Sequence, residues 1–347
     1  MSFDGQRVLI TGGTGSLGQQ IVLQLLGGKM GTPEKIVVFS RDEAKQHHML
    51  RNYLRRREAT DEIIYKNSEQ RLQFCIGDMR DYSSVLQSIR DANIIIHAAA
   101  LKQVPSCEYF PYQAVQTNVM GAYNLIRAIR ENDTAVHTVV GISTDKACKP
   151  INVMGMTKAL MERALVQANI DCRHTRFVCV RYGNVIASRG SVVPLFLDQI
   201  ANKGPVTVTL PEMTRFLMSL EQAVDTVFEA VNSARPGETY VPKLPAGRVV
   251  DLARTLIDGR EIAIEFTGIR PGEKIHEMMI SEEECYRTVS RGHYYVILPL
   301  LPELQYSEES EPALTGAFSS AQATLDSDAL RALLAPFLTG EVNGIMA

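Results

Sequence analysis

The segment VLITGGTGSLGQQI constrains this chain more than any other. Arg7–Thr11 is a short apolar run that reads as a strand. Glycines follow at once, and Ser16–Leu26 then carries helical spacing until Gly27 and Gly28 stop it. Gly13, Gly15 and Gly18 stand in the G-x-G-x-x-G register, with Gly12 one position earlier. Between a strand and a helix, such a loop turns tightly and lets backbone approach a pyrophosphate, whose charge sits at the helix N-terminus. The expectation is a dinucleotide site built from Thr11, Gly12, Gly13, Thr14, Gly15, Ser16, Leu17 and Gly18. A purely structural glycine turn is the competing reading, and the strand before and helix after weigh against it.

The pattern around that loop repeats. Lys35–Ser40, Leu72–Ile76, 93–98, 136–142 and 177–180 read as buried strands, with helical spacing between them, notably over 114–130 and 152–168. Alternation of this kind predicts an α/β fold, a doubly wound parallel sheet of Rossmann-like type. Beyond Arg189 prolines punctuate the chain, and a smaller C-terminal substrate-binding lobe is expected there. The expected division is 1–188 for the dinucleotide-binding domain and 189–347 for the lobe, with some segments returning to the sheet. In the tail, 326–335 reads as a short amphipathic helix packing back on the lobe. The charged segment 50–70, with Arg55, Arg56 and Arg57 at its middle, reads as a solvated insertion between two strands.

Charge excludes one class of function. Lys+Arg 36 against Asp+Glu 39 gives a net charge of −3, which argues against a protein built to neutralise nucleic-acid phosphates. The start lacks a signal-peptide pattern, and the most apolar stretches are too short to cross a bilayer, so no membrane partner is expected. The six cysteines are scattered without a C-x-x-C pair, as expected for reduced thiols of a cytoplasmic protein. The seven histidines show no metal-ligand spacing, and no metal is expected.

The second strand ends in Phe39–Ser40–Arg41, where an NAD enzyme usually places a carboxylate on the ribose hydroxyls. Ser40 and Arg41 suit a 2′-phosphate instead, and Lys45 adds charge from the next turn. Asp42 leaves the NAD reading open; NADP is the favoured cofactor. Asp78, followed by Met79, is placed after the third strand to reach the adenine edge, with a simple turn carboxylate as the alternative. Ala98, Ala99 and Ala100 follow the fourth strand, and Lys102 lies where cofactor and substrate meet.

The fifth strand runs into Ser143–Thr144–Asp145–Lys146, and Lys158 stands in the next helix. A strand-end hydroxyl followed by Y-x-x-x-K on a helix marks the short-chain dehydrogenases/reductases, but the Tyr position here is Met154. A thioether cannot accept a hydroxyl proton usefully. On residues alone, a solvated ion pair in a turn is the preferred reading of Asp145–Lys146.

The stretches AAALKQVPSCE, STDKACKPINVMGMTK, RYGNVIASRGSVVPLF, MTRFLMSLEQAVD and GIRPGEKIHEMMIS resemble the nucleotide-sugar dehydratases of the extended short-chain dehydrogenase/reductase class. The branch they resemble is the UDP-N-acetylglucosamine 4,6-dehydratases of bacterial polysaccharide and nonulosonic-acid pathways. Some members of that branch are similar in carrying Met at the Tyr position. The resemblance implies oxidation at sugar C4, loss of water across C5–C6 and hydride return to C6, on an NADP that stays bound.

It implies Asp145 as the acid at C6, Lys146 as the base at C5, Thr144 on the C4 oxygen and Lys158 on the nicotinamide ribose. Those roles require a raised Asp145 pKa and a lowered Lys146 pKa. Around the sugar nucleotide it places Lys102, Asn184, Arg189, Ser191, Val192 and Pro194. Arg215 and Arg270 are offered as forks for the diphosphate, with Glu273 for a ribose hydroxyl and Tyr182 close to the cofactor. UDP is the expected nucleotide, with GDP as the alternative, and C5 inversion is the favoured stereochemistry. A homo-oligomer is expected through the helices at 114–130 and 152–168. The rivals are an epimerase or reductase on the same fold, and a non-catalytic NADP-binding protein kept in view by Met154.

Overall fold

The computed structural model describes residues 3–54, 70–186, 191–306 and 311–338. Most of segment 50–70, with its three arginines, and Arg189 therefore lie outside the described residues.

Strands β1 (Arg7–Thr11), β2 (Lys35–Ser40), β3 (Leu72–Ile76), β4 (Ile94–His97), β5 (Thr138–Ile142) and β6 (Arg176–Val180) form the parallel body of a nine-stranded sheet. Their side chains alternate between two buried faces. Val8 and Ile10 pack with Ile21, Leu25, Val227 and Phe228 on one side. Leu9 and Ile95 pack with Val85, Leu125, Met161 and Leu165 on the other. Both faces are dry, so continuous apolar runs such as VLI and III form central strands rather than half-exposed ones. The architecture is the expected α/β, Rossmann-like fold.

From β1 the chain proceeds outward through β2 and β3, then returns to place β4 on the other side of β1. That reversal opens a crevice above the carboxyl ends of β1 and β4, where ligands bind in open parallel sheets.

The later chain contributes β7 (Asn184–Val185), β8 (Val206–Val208), β9 (Thr214–Met218), β10 (Thr239–Pro242), β11 (Ala246–Arg248), β12 (Ile264–Phe266), β13 (Met278–Ile280), β14 (Thr288–Arg291), β15 (Tyr294–Ile297) and β16 (Phe318–Ser319). β10 runs parallel beside β6, and β15 and β14 extend the sheet antiparallel. The remaining strands form small sheets, β11-β9-β7, β12-β8 and β13-β16. A separate apolar core lies under helices Val192–Ala201, Val249–Ile257 and Ser327–Leu338. Leu330 and Leu334 of the last helix are buried in it, so the tail does pack back.

One helix departs from the expected pattern. The segment anticipated as a helix over 114–130 starts at Pro111, runs through a π turn at Val115–Met120 and continues as Gly121–Glu131. The wider turn lets both Thr117 and Asn118 face inward. Asn118 then bonds the backbone N–H and C=O of Leu101 and the Thr157 hydroxyl, fixing the loop after β4. A π turn of this kind is frequent at functional sites. Among the described residues, no helix is long and apolar enough to cross a membrane.

Candidate active site

The glycine loop is shaped by close approach. Gly12 has φ +68°, and a Cβ there would lie 2.8 Å from the Ala99 backbone. A Cβ on Gly18 would stand 2.4 Å from Gly13 Cα, so helix Ser16–Leu26 can begin this close to β1 only with glycine. No side chain caps the helix N-terminus at Gly15. Its first N–H groups face a cavity of about 950 Å³, lined by Gly12, Thr14, Gly15, Ser16, Leu17 and Gly18. This uncapped, side-chain-free cradle fits a dinucleotide pyrophosphate.

The cavity extends past Ser40, Arg41, Asp42, Lys45, Asp78 and Met79 at one end. Ser40 Oγ and its backbone carbonyl both accept from Gln46 Nε2, at 3.0 and 3.1 Å, which fixes the end of β2. Asp42 is paired with Lys45 at 2.8 Å, and Arg41 stands 3.6 Å from Asp78. Asp78 is also gripped by Arg80 at 2.6 Å. Burial opposes the Asp78 charge, but the Arg80 guanidinium outweighs it and holds the carboxyl below the usual range.

At the other end lie Ala98, Ala99, Ala100, Lys102, Ser143, Thr144, Asp145, Lys146, Met154, Lys158, Tyr182, Asn184 and Ser191. Asp145 opens a short 3-10 turn, Asp145–Ala147, directly after β5. Its Oδ1 accepts from Thr144 Oγ1 at 2.7 Å and from Lys146 Nζ at 3.1 Å, while Oδ2 is buried without a partner. The Asp145 side chain is 1% exposed and that of Lys146 21%, so this is not a solvated pair.

Lys146 also meets Glu277 at 3.0 Å. Burial pulls the ammonium down, but Asp145 and Glu277 outweigh it and hold its pKa above the ordinary lysine value, with Arg215 opposing them. The expectation of a lowered Lys146 pKa is thus corrected for the free protein: two carboxylates, not a cation, dominate its surroundings.

Lys158 contrasts with it. Its Nζ donates to Ile142 O at 2.6 Å and lies 3.5 Å from Met161 Sδ. Burial, only partly offset by Cys179 and Glu162, lowers its pKa to about 8. Met154 sits one helical turn earlier, buried against Cys107 and Ala114. Burial also pushes the Tyr182 phenol well above its ordinary value.

Buried polar atoms without partners gather here: Thr117 Oγ1, Ser143 Oγ, Asp145 Oδ2, Asn184 Oδ1 and Ser191 Oγ all belong to cavity-lining residues. Desolvated groups of this kind are rare in a folded interior and point to a missing polar ligand.

Other expected site residues stand apart from the cavity wall. Thr11 lies beneath it, bonded to His97 Nδ1 at 2.8 Å, and burial keeps that imidazole neutral with a pKa of about 3. Gly13 packs on Ile10 and Val38. Val192 and Pro194 sit on helix Val192–Ala201, whose N-cap is the lining residue Ser191. Arg215 is buried, donating to the Thr214 and Ile275 carbonyls. Arg270 is exposed, and Glu273 is half-buried with Thr209 Oγ1 donating to it at 3.5 Å. Sequence reasoning missed Gln103, Thr117, Gly183, Val185 and Leu220 in the lining, and Glu277 behind Lys146. A lone acid running directly into the apolar MMI strand was the available signal for Glu277.

The sequence profile of the polysaccharide biosynthesis protein family matches residues 8–299, from β1 through β15. The chain belongs to this family. Relatives include a UDP-glucose 4-epimerase of Rickettsia bellii, 43% identical over 300 residues that cover 85% of this chain and 83% of the relative. The structure of Pen from Bacillus thuringiensis matches with a TM-score of 0.86 at 33% identity, over 97% of this chain and 99% of that one. A dTDP-glucose 4,6-dehydratase from Streptomyces venezuelae, solved with NAD and TYD, matches at TM-score 0.65 and 19% identity, over 78% and 86% of the two chains. That likeness concerns the fold, which is the extended short-chain dehydrogenase/reductase fold.

Proposed function

We propose that this chain is a nucleotide-sugar-modifying enzyme of the epimerase/dehydratase class, and within it a UDP-N-acetylglucosamine 4,6-dehydratase using NADP. The observation that carries the reading is the buried Asp145–Lys146 pair on the cavity wall, with one Asp145 oxygen unpartnered. Epimerisation at C4 needs hydride removal and return but no acid for a departing hydroxyl. Elimination across C5–C6 needs both an acid and a base, on neighbouring carbons.

The hydride chemistry, removal at C4 and return at C6, would be supplied by a nicotinamide dinucleotide held by the glycine loop and Lys158. The residues of the chain do the rest. Lys158 bonds the nicotinamide ribose, and its pKa of about 8 suits it to draw the C4 hydroxyl proton, through Thr144 or a water. Thr144 holds the C4 oxygen, where a ketone acidifies the C5 proton. Lys146 removes that proton, and Asp145 donates to the departing C6 oxygen. Return of the proton by Lys146 to the opposite face inverts C5.

Arg41 and Lys45, both half-exposed at the end of the cavity, suit a 2′-phosphate. Arg41→Asp is expected to reverse the preference for NADP over NAD, read from the ratio of the two dissociation constants. The sugar nucleotide is assigned to Lys102, Asn184 and Ser191, with Val192, Pro194, Arg270 and Glu273 beside them; Arg189, also assigned to it by resemblance, lies outside the described residues. The lobe from 189 onward is assigned to the substrate. Exposed Tyr123, Met156 and Leu160 on helices Gly121–Glu131 and Val153–Asp171 form the face assigned to a second copy, testable by light scattering of the purified protein.

The test is mass spectrometry of products from UDP- and GDP-N-acetylglucosamine in D2O, first without added cofactor. A product lighter by one water, with deuterium at C5, supports dehydration and identifies the nucleotide. Inversion at C4 without water loss establishes the epimerase that the Rickettsia relatives' name suggests. No turnover with NADP+ or NAD+ added overturns both. Asp145→Asn is expected to cut water loss by about 10²–10⁴ while leaving dinucleotide binding intact.

A further inference from the structure

Glu277 does not line the cavity, and no step above uses it. It stands directly ahead of β13, its side chain 2% exposed. Its backbone N–H donates to Ser320 Oγ at 2.9 Å, and its carbonyl accepts from Ser320 N at 2.8 Å. The β13–β16 pairing therefore sets where the carboxylate points. Oε1 meets Lys146 Nζ at 3.0 Å and faces Arg215 Nε at 3.9 Å, while Oε2 is buried without a partner. A carboxylate this deep is costly unless paired. Here it pairs with the lysine assigned as the base at C5.

We propose that Glu277 is a positioning residue that anchors Lys146 from outside the cavity, so that the base of the elimination is armed only by passing its proton to Asp145. This rests on the dehydratase reading. Four charges form one row: Asp145 carboxylate, Lys146 ammonium, Glu277 carboxylate and Arg215 guanidinium. They face Lys146 from its own turn, from the approach to β13 and from β9. Transfer within the row breaks an N–H bond on Lys146 and makes an O–H bond on Asp145, and no outside acid or base takes part. Glu277 keeps Arg215 as its counter-charge, which is what makes loss of the Lys146 charge tolerable.

The armed pair then acts together. The Lys146 lone pair takes the C5 proton, the C5–H electrons form the C5=C6 bond, and the C6–O electrons leave with the Asp145 proton as water. Asp145 is again a carboxylate and Lys146 an ammonium. Acid and base thus arise from one proton shift, and once Lys146 has returned its proton to C5, the C4 hydroxyl proton drawn by Lys158 is the one that restores the pair. A carboxylate at Glu277 keeps Lys146 from losing its proton to solvent instead, which would leave a base with no acid beside it.

Glu277→Gln keeps the size and an oxygen for Lys146 but removes the charge. Two readouts follow it. In kcat/KM against pH, the alkaline limb reports loss of the last proton from the Asp145–Lys146 pair. That limb is expected to move to lower pH, with KM little changed. In the substrate-free protein, acetylation of Lys146 by acetic anhydride, followed by peptide mass spectrometry, is expected to begin at lower pH than in the wild type. Glu277→Asp is expected to return the onset toward the wild-type value, and Arg215→Met to move it to higher pH.

An unshifted acetylation onset in a folded Glu277→Gln protein overturns the role of Glu277, even where the wild type dehydrates. Should that variant fail to fold, an unshifted onset in Arg215→Met overturns it instead. Absence of water loss in the wild type overturns the dehydratase reading by itself, whatever the acetylation shows.

Discussion

Two lysines face one cavity from regions of opposite character. Lys158 comes from helix Val153–Asp171, with a carbonyl and a thioether around its ammonium, and burial lowers its pKa to about 8. Lys146 comes from the turn after β5, between two buried carboxylates that raise its pKa despite burial. Depth alone does not set the protonation state of a lysine; what decides it is whether the neighbouring carboxylates outweigh burial, as Asp145 and Glu277 do at Lys146 and Glu162 does not at Lys158. One region offers a proton acceptor near neutral pH, and the other stores a proton until a partner takes it.

Stability measurements can break this comparison, because the two lysines carry opposite signs of linkage. Lys146→Met leaves Asp145 and Glu277 buried together with half their counter-charge gone, and should destabilise the protein by about 3–5 kcal/mol at pH 7 in urea denaturation. Lys158→Met should do the reverse. Between about pH 8 and the ordinary value of 10.5, the unfolded chain holds a proton that the folded chain has lost, so Lys158 makes stability rise with pH there. Below about pH 8 the folded protein carries the full cost of that buried charge. Removing the lysine is therefore expected to stabilise by on the order of 1–3 kcal/mol at pH 7, a gain that fades toward pH 10. Stabilisation by Lys146→Met, or destabilisation at pH 7 by Lys158→Met, would contradict the contrast.

The smallest expected effect sharpens the comparison. Met154→Tyr places a phenol one helical turn from Lys158. With Lys158 already suited to draw the C4 proton, the rate is expected to change by less than about tenfold, since general-base assistance is present without the phenol. A larger gain, with a new limb in the pH profile, would show that the first step lacks a base in the natural sequence.

What was legible in the sequence follows the range of each interaction. The glycine loop could be read because its constraint is local: Gly18 must clear Gly13 a few residues away. The Asp145–Lys146 pair could be read as a candidate because its members are adjacent. Arg215 was expected as a diphosphate fork, yet the fold turns it toward Glu277 and the Ile275 carbonyl, contacts made between strands distant in sequence. The π turn escaped notice because VQTNVM is compatible with an ordinary helix, and only the inward demands of Thr117 and Asn118 select the wider turn. Apolar periodicity reveals which face of a segment is buried, but not which charge waits across the core.

Ser320 ties together the backbone of Glu277 and the hydroxyl of Thr214, the neighbour of Arg215. During synthesis Asp145 and Lys146 leave the ribosome long before this clasp does. Until β16 has emerged and paired with β13, Glu277 lacks the backbone partner that sets its place beside Lys146. A contact near the end of the chain thus completes the surroundings of a lysine near its middle, and the charged row takes its final order only once the last strand is in place.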